Sequence, residues 1–166
     1  MQRIIVIGCP GSGKSTFSKK LQALTGIPLF HLDMMFWNSD KTFVDRSVLI
    51  ERQEEAMLND SWIIDGNYIS TMGIRLEKCD TVIFLDYPAE LCLESVRNRK
   101  GKLRSDLPWT EPEEDDEEFM EYIKTFGQNI KPRITELLDL YSHRNIFIFT
   151  DRGQADSFLE KMRAHS

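Results

Sequence analysis

Residues 8–15 read Gly8-Cys9-Pro10-Gly11-Ser12-Gly13-Lys14-Ser15, a GxxxxGK[ST] run set between an apolar stretch and a helical one. Before it, Ile4-Ile5-Val6-Ile7 is apolar without alternation, which fits a parallel strand covered on both faces. After it, Phe17, Leu21 and Leu24 fall on one side of a helix over 14–24, closed by Gly26. Strand, glycine turn and helix together are the setting in which this spacing binds phosphate. Glycines let the backbone curl around anionic oxygens and aim successive N–H groups inward. The helix adds the positive end of its dipole.

The expected nucleotide-binding residues are therefore Gly8, Pro10, Gly11, Ser12, Gly13, Lys14, Ser15 and Thr16. In that role Lys14 reaches the β- and γ-phosphates as a point charge, and the Ser15 hydroxyl ligates Mg²⁺. ATP or another nucleoside triphosphate, with Mg²⁺, is the expected cofactor. Cys9 reads as a tolerated variable position, although a helix N-terminus also favours a reactive thiol.

The rest of the chain alternates short strands with helical stretches, so the expected fold class is α/β with a parallel sheet. Further strands are expected over 28–32, 61–64, 81–85 and 145–149, and further helices over 44–58, 88–97 and 154–163. Thr110-Glu111-Pro112-Glu113 reads as a capping box opening a helix that carries Phe119, Tyr122, Ile123, Phe126 and Ile130 on one face. Gly127 and Pro132 break or kink it, and Ile134, Leu137, Leu138 and Tyr141 resume the spacing. No repeat or linker divides the 166 residues, so one domain over 1–166 is expected.

Three strands end in aspartate. In an open parallel sheet, ligands bind beyond the carboxyl ends of the strands. Asp65, before Gly66, suits a Walker-B role on Mg²⁺; a helix cap is the alternative. Asp33 either orients an acceptor hydroxyl or serves only as a turn residue. Asp86 reads as a cap, and His31 as a structural strand residue. His143 and His165, near helix ends, carry no catalytic expectation.

From 97 to 104, five of eight residues are basic: Arg97, Arg99, Lys100, Lys102 and Arg104. The functional reading is a lid over a triphosphate, with Arg99 and Arg104 as phosphate contacts and Arg133 as a further guanidinium. The plain reading is a solvated basic loop. Seven acids crowd into 111–118, and they read as the solvated first turns of the next helix.

Bulk properties exclude several classes. A net charge of −6 offers no basic face for a general nucleic-acid binder. The longest apolar runs, 4–7 and 82–85, are far short of the roughly 18 residues of a membrane span, and no signal peptide opens the chain. Three cysteines, Cys9, Cys79 and Cys92, without CxxC spacing, read as reduced thiols of a cytoplasmic protein.

With these residues in place, the chain resembles the P-loop kinases of the adenylate kinase type. It is similar in particular to the adenylate kinase-related proteins known as DNA topology modulation proteins. The likeness rests on GCPGSGKS at 8–15, HLDMMFW at 31–37, WIIDGNY at 62–68, FLDYP at 84–88 with Arg97 and Arg99 beyond it, and KPRI at 131–134. It implies a three-layer fold with a five-stranded parallel sheet in the order 2-3-1-4-5 and helices on both faces. It implies an acceptor region at about 33–60, a lid at about 97–112, and a base-side loop at Thr150-Asp151-Arg152-Gly153.

Two departures bear on the acceptor. Adenylate kinases carry an arginine soon after the aspartate-glycine of strand three; here Asn67-Tyr68-Ile69 follows Asp65-Gly66, and Arg75 is the next arginine. After Asp33 come Phe36 and Trp37, and Arg46 is the first arginine. A less charged acceptor, stacked on an aromatic surface, thus stands beside a nucleoside monophosphate. The lid also lacks cysteines for a zinc-bearing insert.

The combined expectation is a monomeric phosphotransferase. It moves the γ-phosphoryl group of Mg-ATP to a small-molecule acceptor: a nucleotide, a nucleoside or another hydroxyl compound. Lys14 stabilises the transferring group, Ser15 and Asp65 hold the metal, and Asp33 orients the acceptor. Arg99, Arg104 and Arg133 close over the transition state. The alternatives are a nucleotide-dependent regulatory protein associated with DNA topology, and an NTPase without an acceptor.

Overall fold

Ile4, Ile5, Val6 and Ile7 are wholly buried and form the middle of β1 (Arg3–Gly8), the central strand of a parallel sheet. Each such aliphatic side chain contributes about 1.5–3 kcal/mol by leaving water. The computed structural model describes residues 1–114 and 116–164; Asp115 of the acidic run and His165 lie outside the described residues.

The other strands are β2 (Leu29–His31), β3 (Trp62–Asp65), β4 (Thr81–Leu85) and β5 (Asn145–Phe149), in the order β2-β3-β1-β4-β5. All four pairings are parallel. The register sets Val6 opposite Asp65 and Gly8 opposite Leu85, so the ends of β3 and β4 flank the glycine turn that leaves β1.

Eight helices fill the connections among the described residues: α1 (Lys14–Thr25), α2 (Leu32–Phe36), α3 (Arg46–Ala56), α4 (Ile69–Lys78), α5 (Ala89–Asn98), α6 (Glu117–Asn129), α7 (Lys131–Leu140) and α8 (Arg152–Ala164). Phe17 of α1 meets Phe149 of β5 and Phe158 of α8, with ring centroids 6.3 and 6.5 Å apart. Met72 and Leu76 of α4 are wholly buried, and α4 packs on β1 and against α7.

Several elements differ from the sequence reading. The second strand stops at His31, because Leu32 already begins the short α2 that carries Asp33. The helix expected over 44–58 is confined to Arg46–Ala56. Helix α4 was not expected at all. Ile69, Met72 and Leu76 have helical spacing, but Tyr68 before them is left-handed and supplies no side-chain cap, so the start carries no signal. The capping box at 110–113 is also corrected. Asp116 caps α6 instead, its side chain accepting from the Phe119 N–H at 3.1 Å. Asp86 makes no side-chain cap; it pairs with Lys131 at the start of α7, 2.6 Å away.

Candidate active site

The turn after β1 has the backbone of a phosphate cradle. Gly11 and Gly13 have φ of 84° and 91°, a region that glycine enters without steric cost. A Cβ on Gly11 would lie 2.3 Å from the Cys92 carbonyl oxygen on α5, so the close approach of loop and helix also requires glycine. Ser12 Oγ is buried within the loop with no hydrogen-bond partner among the described residues, a polar group whose desolvation they leave uncompensated. Lys14 Nζ donates to the loop's own carbonyls, Gly8 at 2.9 Å and Cys9 at 3.2 Å. Burial pushes the Lys14 ammonium below its ordinary pKa, while Asp33 and Asp65 act in the opposite direction.

A cleft of about 1040 Å³ opens over this turn. Its lining includes Pro10, Gly11, Gly13, Lys14, Ser15, Thr16, Asp33, Asp65, Arg99 and Arg104. Ten of the expected site residues thus share one cavity. Gly8 and Ser12 lie behind it in the loop, and Arg133 does not face it. A second cavity of about 460 Å³ is lined by Lys14, Asp33, Gly66, Asn67, Tyr68, Ile69, Ser70, Tyr122, Ile130 and Arg133. Lys14, Asp33 and Gly66 border both.

The strand-end aspartates have different partners. Asp65 is 4% exposed, and His31 Nδ1 lies 2.9 Å from each of its oxygens. His31, expected to be a plain strand residue, therefore fixes the carboxylate at the end of the next strand. Asp33 accepts from the Tyr68 hydroxyl at 2.6 Å. Burial raises the Asp33 carboxyl above its ordinary range, and the Tyr68 bond and Lys14 partly offset that rise.

Residues 99–114 hold no regular structure and lie across the cradle. Arg104 donates to Asp106 through Nε at 3.0 Å and through Nη2, and to Glu111 through Nη1 at 2.7 Å. Arg99 forms an ion pair with the other Glu111 oxygen at 3.0 Å. Glu111 is thus corrected from a solvated helix-start residue to the counter-ion of two arginines. Asp106 also accepts from Ser15 Oγ at 2.5 Å. Burial pushes the Asp106 carboxyl up, but Arg104 and Ser15 outweigh it and hold it at about 2.

Aromatic rings join this segment to the region after β2. Trp37 meets Trp109 edge-on at 5.0 Å, and Phe36 packs against Phe43 and Tyr68 at 5.3 and 4.9 Å. The arginines near the second cavity are otherwise occupied. Arg46 donates to the Ser70 carbonyl, Arg52 to the Met35 carbonyl, and buried Arg75 to those of Gly66, Asn67 and Tyr68. Cys9, Cys79 and Cys92 are free and buried. A hydrogen bond with Cys92, and then burial, push the Cys9 thiol above its ordinary value.

The sequence reading missed Asn67, Tyr68 and Asp106. Asn67 and Tyr68 stood in the quoted stretch 62–68, but without a role. Asp106, two residues beyond Arg104, had the alternating-charge spacing of an internal pair.

The cradle fits a triphosphate with magnesium. Its donors are hard: the Ser15 hydroxyl and the Asp33, Asp65 and Asp106 carboxylates around one cleft, the oxygen set Mg²⁺ takes. Among the described residues no three His, Cys, Asp or Glu side chains form a metal cluster. A Mg²⁺ ion held by one or two protein oxygens plus substrate phosphates needs no such cluster. Among the described residues, no helix is long and apolar enough to cross a membrane.

No protein-family model matches the chain, and no curated protein matches it. Solved structures do. The shikimate kinase from Bacteroides thetaiotaomicron superposes with a TM-score of 0.62 at 18% identity, over 99% of this chain and 97% of that one. The shikimate kinase from Acinetobacter baumannii in complex with shikimate does so with a TM-score of 0.55 at 17% identity, over 98% and 90%. The narrower resemblance to topology modulation proteins gains no support from these neighbours. At such identities the likeness establishes the fold: the chain has the P-loop architecture of these kinases over nearly its whole length.

Proposed function

We propose that this chain is a phosphotransferase that moves the γ-phosphoryl group of Mg-ATP, or a similar triphosphate, to a hydroxyl of a small-molecule acceptor. One observation carries the reading: two cavities meet at Lys14 and Asp33. Hydrolysis needs one substrate cavity and a water; transfer needs two cavities joined at the reacting group. The fold shared with two shikimate kinases supports the same class.

Bound Mg-ATP supplies the phosphoryl group, and its cation neutralises charge on the phosphate oxygens. Ser15 and Asp65 would hold the cation. Lys14, at the junction, binds the β- and γ-oxygens once its bonds to Gly8 and Cys9 are exchanged for phosphate. Asp33 orients the acceptor hydroxyl and takes its proton as oxygen bonds to phosphorus and the diphosphate leaves; its raised pKa suits that task. Arg99 and Arg104 exchange Glu111 for phosphate oxygens, with Arg104 keeping its bonds to Asp106, as the 99–114 segment closes as a lid and excludes water.

Among the described residues, the one guanidinium lining the acceptor-side cavity is that of Arg133, with Ser70 and two tyrosines around it. That set suits a hydroxylated compound with a single anionic group better than a nucleoside monophosphate, whose dianion calls for several arginines. The protein works as a monomer, and its buried free thiols suit the cytoplasm.

The test is acceptor-dependent ADP release over a panel of hydroxy acids including shikimate, sugar acids, nucleosides and nucleotides. One acceptor class should raise release well above the background, and Lys14→Ala should abolish the rise with an unchanged circular dichroism spectrum. Hydrolysis indifferent to every acceptor, or full activity in Lys14→Ala, overturns the reading.

A further inference from the structure

The carboxylate expected to serve the cation, Asp65, faces His31. The one that touches the cation's hydroxyl ligand comes from the lid segment, 91 residues along the chain: Asp106 accepts the Ser15 hydroxyl hydrogen at 2.5 Å. A serine hydroxyl has one hydrogen and two lone pairs. Once the hydrogen is committed to a carboxylate, the lone pairs remain for a cation, and the partial negative charge on the oxygen grows.

The position of Asp106 is over-determined. It is 4% exposed, Arg104 grips it through two nitrogens, Glu111 holds Arg104 in turn, and the neighbouring Ser105 accepts from Lys19 Nζ at 2.6 Å. A buried carboxylate held this firmly against the last residue of the phosphate loop is a built feature of the site.

Resting on the kinase reading above, we propose that Asp106 is a positioning residue for the cation: the lid carries the carboxylate that aims the Ser15 hydroxyl at the metal and adds negative charge beside it. Cation affinity and lid position are then linked, and each favours the other to the same degree. The opposite role is an anion standing in for phosphate, which bars the cleft until a nucleotide displaces it. The two roles predict opposite signs when the charge is removed.

The experiment measures binding of a non-hydrolysable ATP analogue by calorimetry, with EDTA and then with saturating Mg²⁺. Mn²⁺ occupancy is followed in parallel by electron paramagnetic resonance. In Asp106→Asn, metal-free affinity should stay within about twofold, while the gain on adding Mg²⁺ falls roughly tenfold or more, as for other partners of metal ligands. Asp106→Glu keeps the carboxylate and should recover most of that gain, which also controls for misfolding. Equal or tighter Mg-nucleotide binding by Asp106→Asn overturns the proposal in favour of the barring role. An equal loss with and without metal overturns it in favour of a purely structural one. A wild-type protein that binds neither form instead sinks the kinase reading, a distinct result.

Discussion

The Asn67 side chain holds both backbone polar groups of Gly8: Oδ1 accepts from the Gly8 N–H at 3.0 Å, and Nδ2 donates to the Gly8 carbonyl at 2.7 Å. This is the exchange that a paired strand residue makes, performed by a side chain. It carries the β1–β3 ladder one step beyond the end of β3 and fixes the root of the phosphate loop. Lys14 Nζ donates to the same carbonyl.

Asn67→Ala should therefore lower stability by about 1–3 kcal/mol, because the part-buried Gly8 N–H loses its side-chain acceptor and the Gly8 carbonyl is left to Lys14 Nζ. Nucleotide affinity should fall with it. Asn67→Asp keeps the acceptor, loses the donor and adds a negative charge near the phosphates. It should weaken nucleotide binding further than its effect on stability would suggest. Thermal melts paired with calorimetric titration separate the two; unchanged affinity in both variants would show that the loop is held by other contacts.

Tyr68 sits at φ 40°, a left-handed conformation uncommon outside glycine, and its hydroxyl donates to Asp33 at 2.6 Å. Strain of this kind costs on the order of 1–3 kcal/mol and collects at functional sites. The Tyr68 bond acts to lower the Asp33 pKa, against the larger upward effect of burial. Tyr68→Phe removes that restraint and keeps the ring on Phe36. The Asp33 carboxyl should then hold its proton to higher pH, so the acidic limb of the acceptor-dependent rate moves upward, by about one unit at most. A downward or absent shift in the pH profile would separate Asp33 from the rate.

Arg75 is wholly buried, has no carboxylate partner among the described residues, and donates to three successive carbonyls, those of Gly66, Asn67 and Tyr68. Burial pushes its guanidinium down to about 9. The arginine staples the turn that presents Asn67 and Tyr68. Arg75→Met removes the donor to the Gly66 and Asn67 carbonyls, while the Tyr68 carbonyl keeps the Thr71 N–H at 2.9 Å, and should cost about 3 kcal/mol or more in urea denaturation. Arg75→Lys should rescue little, since a single ammonium cannot span the fork. Recovery of most of the loss by lysine would show that charge, not the fork, holds the turn.

Much of the molecule was legible in the sequence because its cause is local. Continuous apolar runs at 4–7 and 82–85 marked buried parallel strands, and glycine spacing at 8–13 marked a backbone that glycine enters without steric cost. The unread elements lack local signals. Helix α4 begins at a left-handed tyrosine without a cap, and α6 is capped by Asp116 while a better-looking box at 110–113 goes unused because Glu111 is drawn to two arginines.

The chain by itself determined the buried strands and the glycine turn, since burial patterns and backbone freedom belong to individual residues and their neighbours; the order 2-3-1-4-5 was legible only through the family resemblance. The tertiary structure alone decided which carboxylate faces which partner. Asp65 turning to His31, Asp33 to Tyr68 and Asp106 to Ser15 join residues 34, 35 and 91 positions apart. Such pairings follow from how the strand ends and the irregular segment after α5 converge on one cleft, and short-range spacing carries no record of that convergence.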